Sequence, residues 1–142
     1  LMSCNTAHYF YKDLAKHFQI PLLHMIEITA KEAKKQEGEF LLLATQGTYR
    51  SEIYTDAFEK EGLSLALPDP ALRQDIMRWI YMVKGQKLKE AAREFAEIFD
   101  REKRTLVLGC TELPLIVEAT KKSFPHLDPT LLLAREAVHL AK

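Results

Sequence analysis

Apolar positions recur at helical spacing early in the chain. Ala7, Phe10, Tyr11, Leu14, Ala15 and Phe18 share one face, which predicts a helix over 7–18. Asn5 and Thr6 precede it as candidate caps. Gln19-Ile20-Pro21 stops it, because proline restrains its predecessor and has no N–H to donate. The pattern then predicts a short strand over 22–25 and a helix over 26–35. After the Glu37-Gly38 turn comes Phe40-Leu41-Leu42-Leu43-Ala44, a continuous apolar run of the kind found in parallel strands covered on both faces. Residues 45–48 read as a loop, 51–60 as a helix ending near Gly62, and 63–67 as a strand stopped by Pro68-Asp69-Pro70. A helix running to about residue 83 ends at Gly85, and a strongly amphipathic one covers 88–99. A strand over 105–108, a loop over 109–112 and a helix over 115–122 follow. Asp128-Pro129-Thr130 opens the last helix, with proline favoured in its first turn.

Strands and helices alternate along most of the chain, so the expected class is α/β with a mostly parallel sheet. Composition fits this: the chain has 142 residues, 47% hydrophobic and 28% charged, as in an ordinary globular protein. Twenty basic and twenty acidic side chains cancel, leaving no electrostatic footprint for nucleic acid or an anionic membrane surface. No apolar run approaches the ~18 residues of a membrane span. There are only two cysteines and no CxxC, a pattern unlike a disulfide scaffold or a zinc site. His8, His24, His126 and His139 have no compact ligand spacing, so no metal is expected. The opening Leu1-Met2-Ser3-Cys4 reads like the end of a buried strand, so further sequence is expected to precede it.

The two cysteines share a local grammar. In Leu106-Val107-Leu108-Gly109-Cys110-Thr111-Glu112-Leu113-Pro114 an apolar strand ends in glycine, the cysteine sits in the turn, and a helix follows. Ligands of open parallel sheets bind beyond the carboxyl ends of strands. Helix N-termini there favour anions and lower a thiol's pKa, so a readily formed thiolate is expected at Cys110. Cys4-Asn5-Thr6-Ala7-His8 repeats the order of apolar residues, cysteine, hydrogen-bonding side chains and helix. Composition alone favours a plainer reading, in which both cysteines are buried small hydrophobes.

These segments resemble the aspartate/glutamate racemase family, in its aspartate racemase branch. Cys4-Asn5-Thr6-Ala7-His8 is similar to the family's first cysteine motif, and Gly109-Cys110-Thr111-Glu112-Leu113-Pro114-Leu115 to its second. The run from Leu43 to Ser51, with Tyr54, resembles the internal threonine-rich loop, and Ile20-Pro21-Leu22-Leu23-His24 and Asp128-Pro129-Thr130 also fit. The resemblance implies two similar parallel-sheet α/β domains with the active site between them, the first incomplete in this chain. On that reading residues 1–22 and 123–142 close the first domain and 23–122 form the second.

The implied function is cofactor-independent racemisation of an acidic amino acid, aspartate or also glutamate, with Cys4 and Cys110 as the acid/base pair. Asn5, Thr6, Thr48, Lys84, Thr111 and Glu112 are the implied substrate contacts, Lys84 matching a lysine that meets a substrate carboxylate. Glutamate at 112, where glutamate racemases usually carry histidine, resembles the aspartate branch. The resemblance further implies a homodimer in the cytoplasm. Plainer roles stand beside these. Lys84 complements a helix dipole, Thr45, Thr48 and Asn5 serve as caps, Glu112 is a first-turn acid, and His8 either tunes Cys4 or is an ordinary core or surface histidine. The competing functions are a catalytically silent amino-acid-binding homologue and another superfamily enzyme, such as a maleate isomerase or hydantoin racemase.

Overall fold

A computed structural model describes all of residues 1–142. Its centre is the apolar run seen in the sequence: Phe40–Ala44 forms strand β1, buried along its whole length. Alternate residues of a strand point to opposite faces, and here each face feeds its own core. Leu41 and Leu43 join Leu106 and Leu108 against Ile76, Trp79, Phe95 and Ile116 on one side. Phe40, Leu42 and Ala44 join Val107 against Ile26, Ala30, Tyr54 and Phe58 on the other. No polar position interrupts the run because neither face meets water.

Strand β2 (Leu65–Ala66), β3 (Thr105–Gly109) and β4 (His126–Leu127) complete a four-stranded sheet of order β2-β1-β3-β4. All pairings are parallel, with Phe40 opposite Thr105 and Ala44 opposite Gly109. The α/β class read from the alternation is the observed one. Nine segments link or flank these strands: a 3₁₀ turn (Thr6–Phe10), α1 (Tyr11–Ala15), α2 (Met25–Ala33), α3 (Gln46–Ser51), α4 (Ile53–Lys60), α5 (Pro70–Lys84), α6 (Leu88–Ile98), α7 (Leu113–Thr120) and α8 (Pro129–Leu140). Helices α5, α6 and α7 cover one face, while α2, α4 and α8 cover the other. None is long and apolar enough to cross a membrane.

Caps explain most of the boundaries. Asp69 accepts from Leu72 N–H and Pro70 takes the first turn of α5; Asp128 accepts from the N–H groups of Thr130 and Leu131 ahead of α8. Several expectations are corrected. The helix read over 7–18 is a 3₁₀ turn followed by one short α-helical stretch ending at Ala15. Residues 22–24 form no strand, because His24 caps α2 with Nδ1 accepting from Glu27 N–H. The loop read at 45–48 is already helical from Gln46, with Thr45 as its cap, and Glu52 at φ 53° separates α3 from α4. Strand β4, missed in the sequence pattern, is only two residues long.

Strand β4 pairs with β3, and α8 lies against α2 and β3. Residues 1–22 contribute no strand and reach the sheet and its helices through the 3₁₀ turn against α3.

Gly109 lies opposite Ala44 at the end of the central strand pair. A Cβ there would stand 3.0 Å from Leu42 Cδ1, 3.1 Å from the Ala44 Cβ and 3.2 Å from the Leu43 carbonyl oxygen. Close-packed cores resist added carbon, and two of these neighbours are backbone-fixed. Gly109→Ala is therefore expected to lower stability by about 1–3 kcal/mol, read from the midpoint of urea unfolding. An unchanged midpoint would show that the strands separate freely at this level.

Candidate active site

The topology selects one end of the sheet. From β1 the chain leaves through α3 and α4 on one face, whereas from β3 it leaves through α7 on the other. Adjacent parallel strands whose connections depart to opposite faces open a crevice beyond their carboxyl ends. Ala44 lies opposite Gly109, so Thr45 and Cys110 emerge from the sheet side by side at that crevice.

The first half of the site is a net of hydroxyl and amide groups. Thr6 Oγ1 lies 3.1 Å from Thr45 Oγ1 and 3.0 Å from Thr48 Oγ1, while Thr45 and Thr48 are themselves 3.1 Å apart. This triangle fastens the Cys4 segment onto the N-terminus of α3. Gly47 allows the approach, since a Cβ there would lie 3.0 Å from Thr6 Cγ2. Asn5 is buried and its Oδ1 accepts from the Tyr54 hydroxyl, but its Nδ2 is buried with no partner. Buried N–H groups almost always have an acceptor, so this amide is a donor awaiting one. Cys4 is exposed beside it.

The second half surrounds Cys110, which is buried at 8% exposure. Its Sγ donates to Glu112 Oε2 at 3.0 Å, and the Thr111 hydroxyl donates to the same oxygen at 3.0 Å. Lys84 Nζ, at the end of α5, lies 3.4 Å from Glu112 Oε1 and over the Tyr81 ring. Burial and the Glu112 carboxylate push the Cys110 thiol up to about 12. The easily formed thiolate expected at this turn is thus corrected. The helix start is real, but desolvation and an adjacent negative charge outweigh it and raise the thiol. Burial works to raise Glu112 too, yet the donors Cys110 and Thr111, with Lys84, hold it below the usual carboxylate range.

Two tyrosines brace the neighbourhood of the site. Tyr49 spans the end of β1, donating to the Leu42 carbonyl at 3.2 Å and accepting from Ala44 N–H at 2.8 Å. Tyr54 holds Asn5. Both phenols are raised chiefly by burial. Asn5, Thr6 and Thr48 therefore share one net, and Cys110, Thr111, Glu112 and Lys84 share another. Thr111 and Lys84 are exposed, whereas Glu112 is half-buried and already engaged. Sequence reading passed over the bracing role of Tyr49. The available signal was a hydroxyl-bearing aromatic just after a buried strand, where a polar tip needs a backbone partner. No group of three or more His, Cys, Asp or Glu side chains is arranged to hold a metal ion.

A family model described as Asp/Glu/Hydantoin racemase matches residues 1–137. The chain belongs to that family. The broad-specificity amino-acid racemase RacX of Bacillus subtilis is 24% identical over 141 residues, covering 96% of this chain and 62% of that protein. Among solved structures, the aspartate racemase of Picrophilus torridus superposes with a TM-score of 0.83 at 30% identity, covering 99% of this chain and 60% of that one. An aspartate racemase homologue from Pyrococcus horikoshii gives 0.77 at 27% identity, covering 97% and 64%. The chain thus spans somewhat less than two thirds of the length of each of these relatives.

In this racemase-family chain the Glu112 charge opposes ionisation of Cys110, and neutralising it has a definite sign. Glu112→Gln is expected to lower the midpoint of the pH profile for Cys110 alkylation by iodoacetamide, followed by peptide mass mapping. Burial remains, so the midpoint stays above that of a free cysteine. A midpoint that stays or rises would mean the carboxylate does not govern the thiol.

Proposed function

We propose that the chain carries out cofactor-independent racemisation of an acidic amino acid, aspartate foremost and glutamate second, with Cys4 and Cys110 as the paired acid and base. The observation that supports this reading is the bonding of Thr6, two residues after Cys4, to Thr45 and Thr48 just beyond Ala44, the residue paired with the Gly109 that precedes Cys110. Asn5 carries an unpaired buried amide in the first motif, and the Cys110 thiol is raised in the second. Inversion at an α-carbon requires a base on one face and an acid on the other. With Cys110 as thiol, Cys4 is the base for one enantiomer. The Cys4 thiolate takes the α-proton and becomes a thiol. Cys110 then delivers its proton to the opposite face of the carbanion and is left as the thiolate. The return reaction exchanges the two roles.

The carbanionic intermediate must be stabilised by the protein's own donors. The Asn5 amide and the Thr6, Thr48 and Thr111 hydroxyls are suited to the substrate carboxylate, and Lys84 to the second carboxylate of an acidic side chain. Glu112, beside its implied substrate contact, serves as the acceptor that holds the Cys110 thiol in place. A homodimer and a cytoplasmic setting belong to the same reading.

The test is incubation of the protein with L-aspartate in deuterated water without pyridoxal phosphate, following the α-proton by NMR and D-aspartate by chiral chromatography. Exchange accompanied by D-aspartate is the expected result. Binding without exchange would instead identify a silent amino-acid-binding homologue. Turnover of maleate or a hydantoin but not aspartate would identify another branch. Cys110→Ala is expected to abolish racemisation while the circular dichroism spectrum is retained, because the side chain is small; full activity in that variant would refute the cysteine pair.

A further inference from the structure

His8 is buried at 2% exposure, yet both of its ring nitrogens are engaged. Nδ1 lies 2.8 Å from the Cys4 carbonyl oxygen, to which only an N–H can be presented, and Nε2 lies 3.2 Å from the Met25 amide, from which it accepts. These two contacts fix one tautomer, neutral with the proton on Nδ1. They also connect two places distant in sequence, the carbonyl of Cys4 itself and the first residue of α2. The ring is further confined by Tyr11, stacked at 6.0 Å and 4°, and by His24, tilted at 5.0 Å.

We propose that His8 is the positioning residue for Cys4, its neutral ring bridging the Cys4 carbonyl to the N-terminus of α2 and so fixing the first cysteine loop at the crevice. The proposal rests on the racemase reading for its catalytic consequence, but the latch is a property of the chain in its own right. The Thr6 triangle fixes the loop on one side of Asn5, and the His8 bridge fixes it from the opposite side, through the backbone of the reacting residue. Small displacements of a reacting group cost rate steeply.

Protonation cannot be accommodated at this position. A proton on Nε2 would face the Met25 N–H donor, so an imidazolium must break the bridge to α2. Burial holds His8 below the usual histidine range, although the Cys4 carbonyl opposes this. The charged and titratable groups around the ring are Tyr9, Tyr11 and Lys12 beside it, His24 capping α2, Glu27 on α2, and Asp56 and Lys60 on α4. His24 is likewise lowered, mainly by burial, which keeps a second positive charge away from His8. Because the folded pKa is depressed, the stability contributed by the latch is present above ~6.5 and is lost as pH falls through the folded value.

Two measurements decide the matter. In the wild-type chain, ¹⁵N-histidine NMR at pH 7 is expected to show His8 neutral with Nδ1 protonated, and Met25 amide protection is expected to fall as His8 titrates under acid. An Nε2–H tautomer or an imidazolium at pH 7 overturns the proposal, and this arm needs neither variants nor activity. In the aspartate assay, His8→Leu is expected to lower kcat on the order of 100-fold with KM little changed. His8→Asn, which retains a donor at the Nδ1 position, is expected to recover part of that loss. Wild-type kcat in a folded His8→Leu variant, or equal loss in both variants, overturns it as well. Should wild-type protein fail to exchange the α-proton, the racemase reading falls while the NMR result still decides the latch.

Discussion

Everything at the candidate site depends on the close parallel pairing of β1 and β3, which brings Ala44 and Gly109 level at the carboxyl end of the sheet. A side chain at 109 would collide with Leu42, Ala44 and the Leu43 carbonyl, so the glycine lets the strands close. Because both strands end at the same height, Thr45 and Cys110 leave the sheet together. Because their connecting helices depart to opposite faces, a crevice opens between them. The chemistry is therefore located by backbone register before any functional side chain is considered.

What the crevice holds is asymmetric. Its Cys4 side is a lattice of neutral donors and acceptors: three threonine hydroxyls, an asparagine amide, a tyrosine and a histidine bridge. Its Cys110 side is charged, with Glu112 between a thiol and an ammonium group. On the proposed reading, an acid on one face of the substrate's α-carbon and a base on the other would be served by such inequality. Lys84 and Glu112 are neighbours in the unliganded structure, so an anionic substrate meeting Lys84 would compete with Glu112 for it. That competition would connect substrate binding to the electrostatics of Cys110.

Much of the fold was legible in the chain because it rests on short-range pattern. The run Phe40–Ala44 read as a strand covered on both faces, and Asp69-Pro70 and Asp128-Pro129 marked helix starts through local capping chemistry. The errors occurred where local pattern underdetermines structure. The first helix shortened because half of its presumed apolar face, Phe10, Leu14 and Phe18, is exposed here and has no core to bury it. Strand β4 went unseen because two residues carry no periodicity, and its existence depends on a neighbour supplied by β3.

The sequence by itself determined the α/β class, the family and the residue types that occupy both cysteine motifs, since these follow from periodicity, caps and contiguous motifs. Tertiary structure alone decided the state of those residues. That the Cys110 thiol is raised, that Lys84 meets Glu112, that Asn5 keeps an unpaired donor, and that His8 reaches Met25 depend on burial or on partners distant along the chain. A pKa or a hydrogen bond belongs to a residue's surroundings, and in this chain folding alone brings those surroundings together.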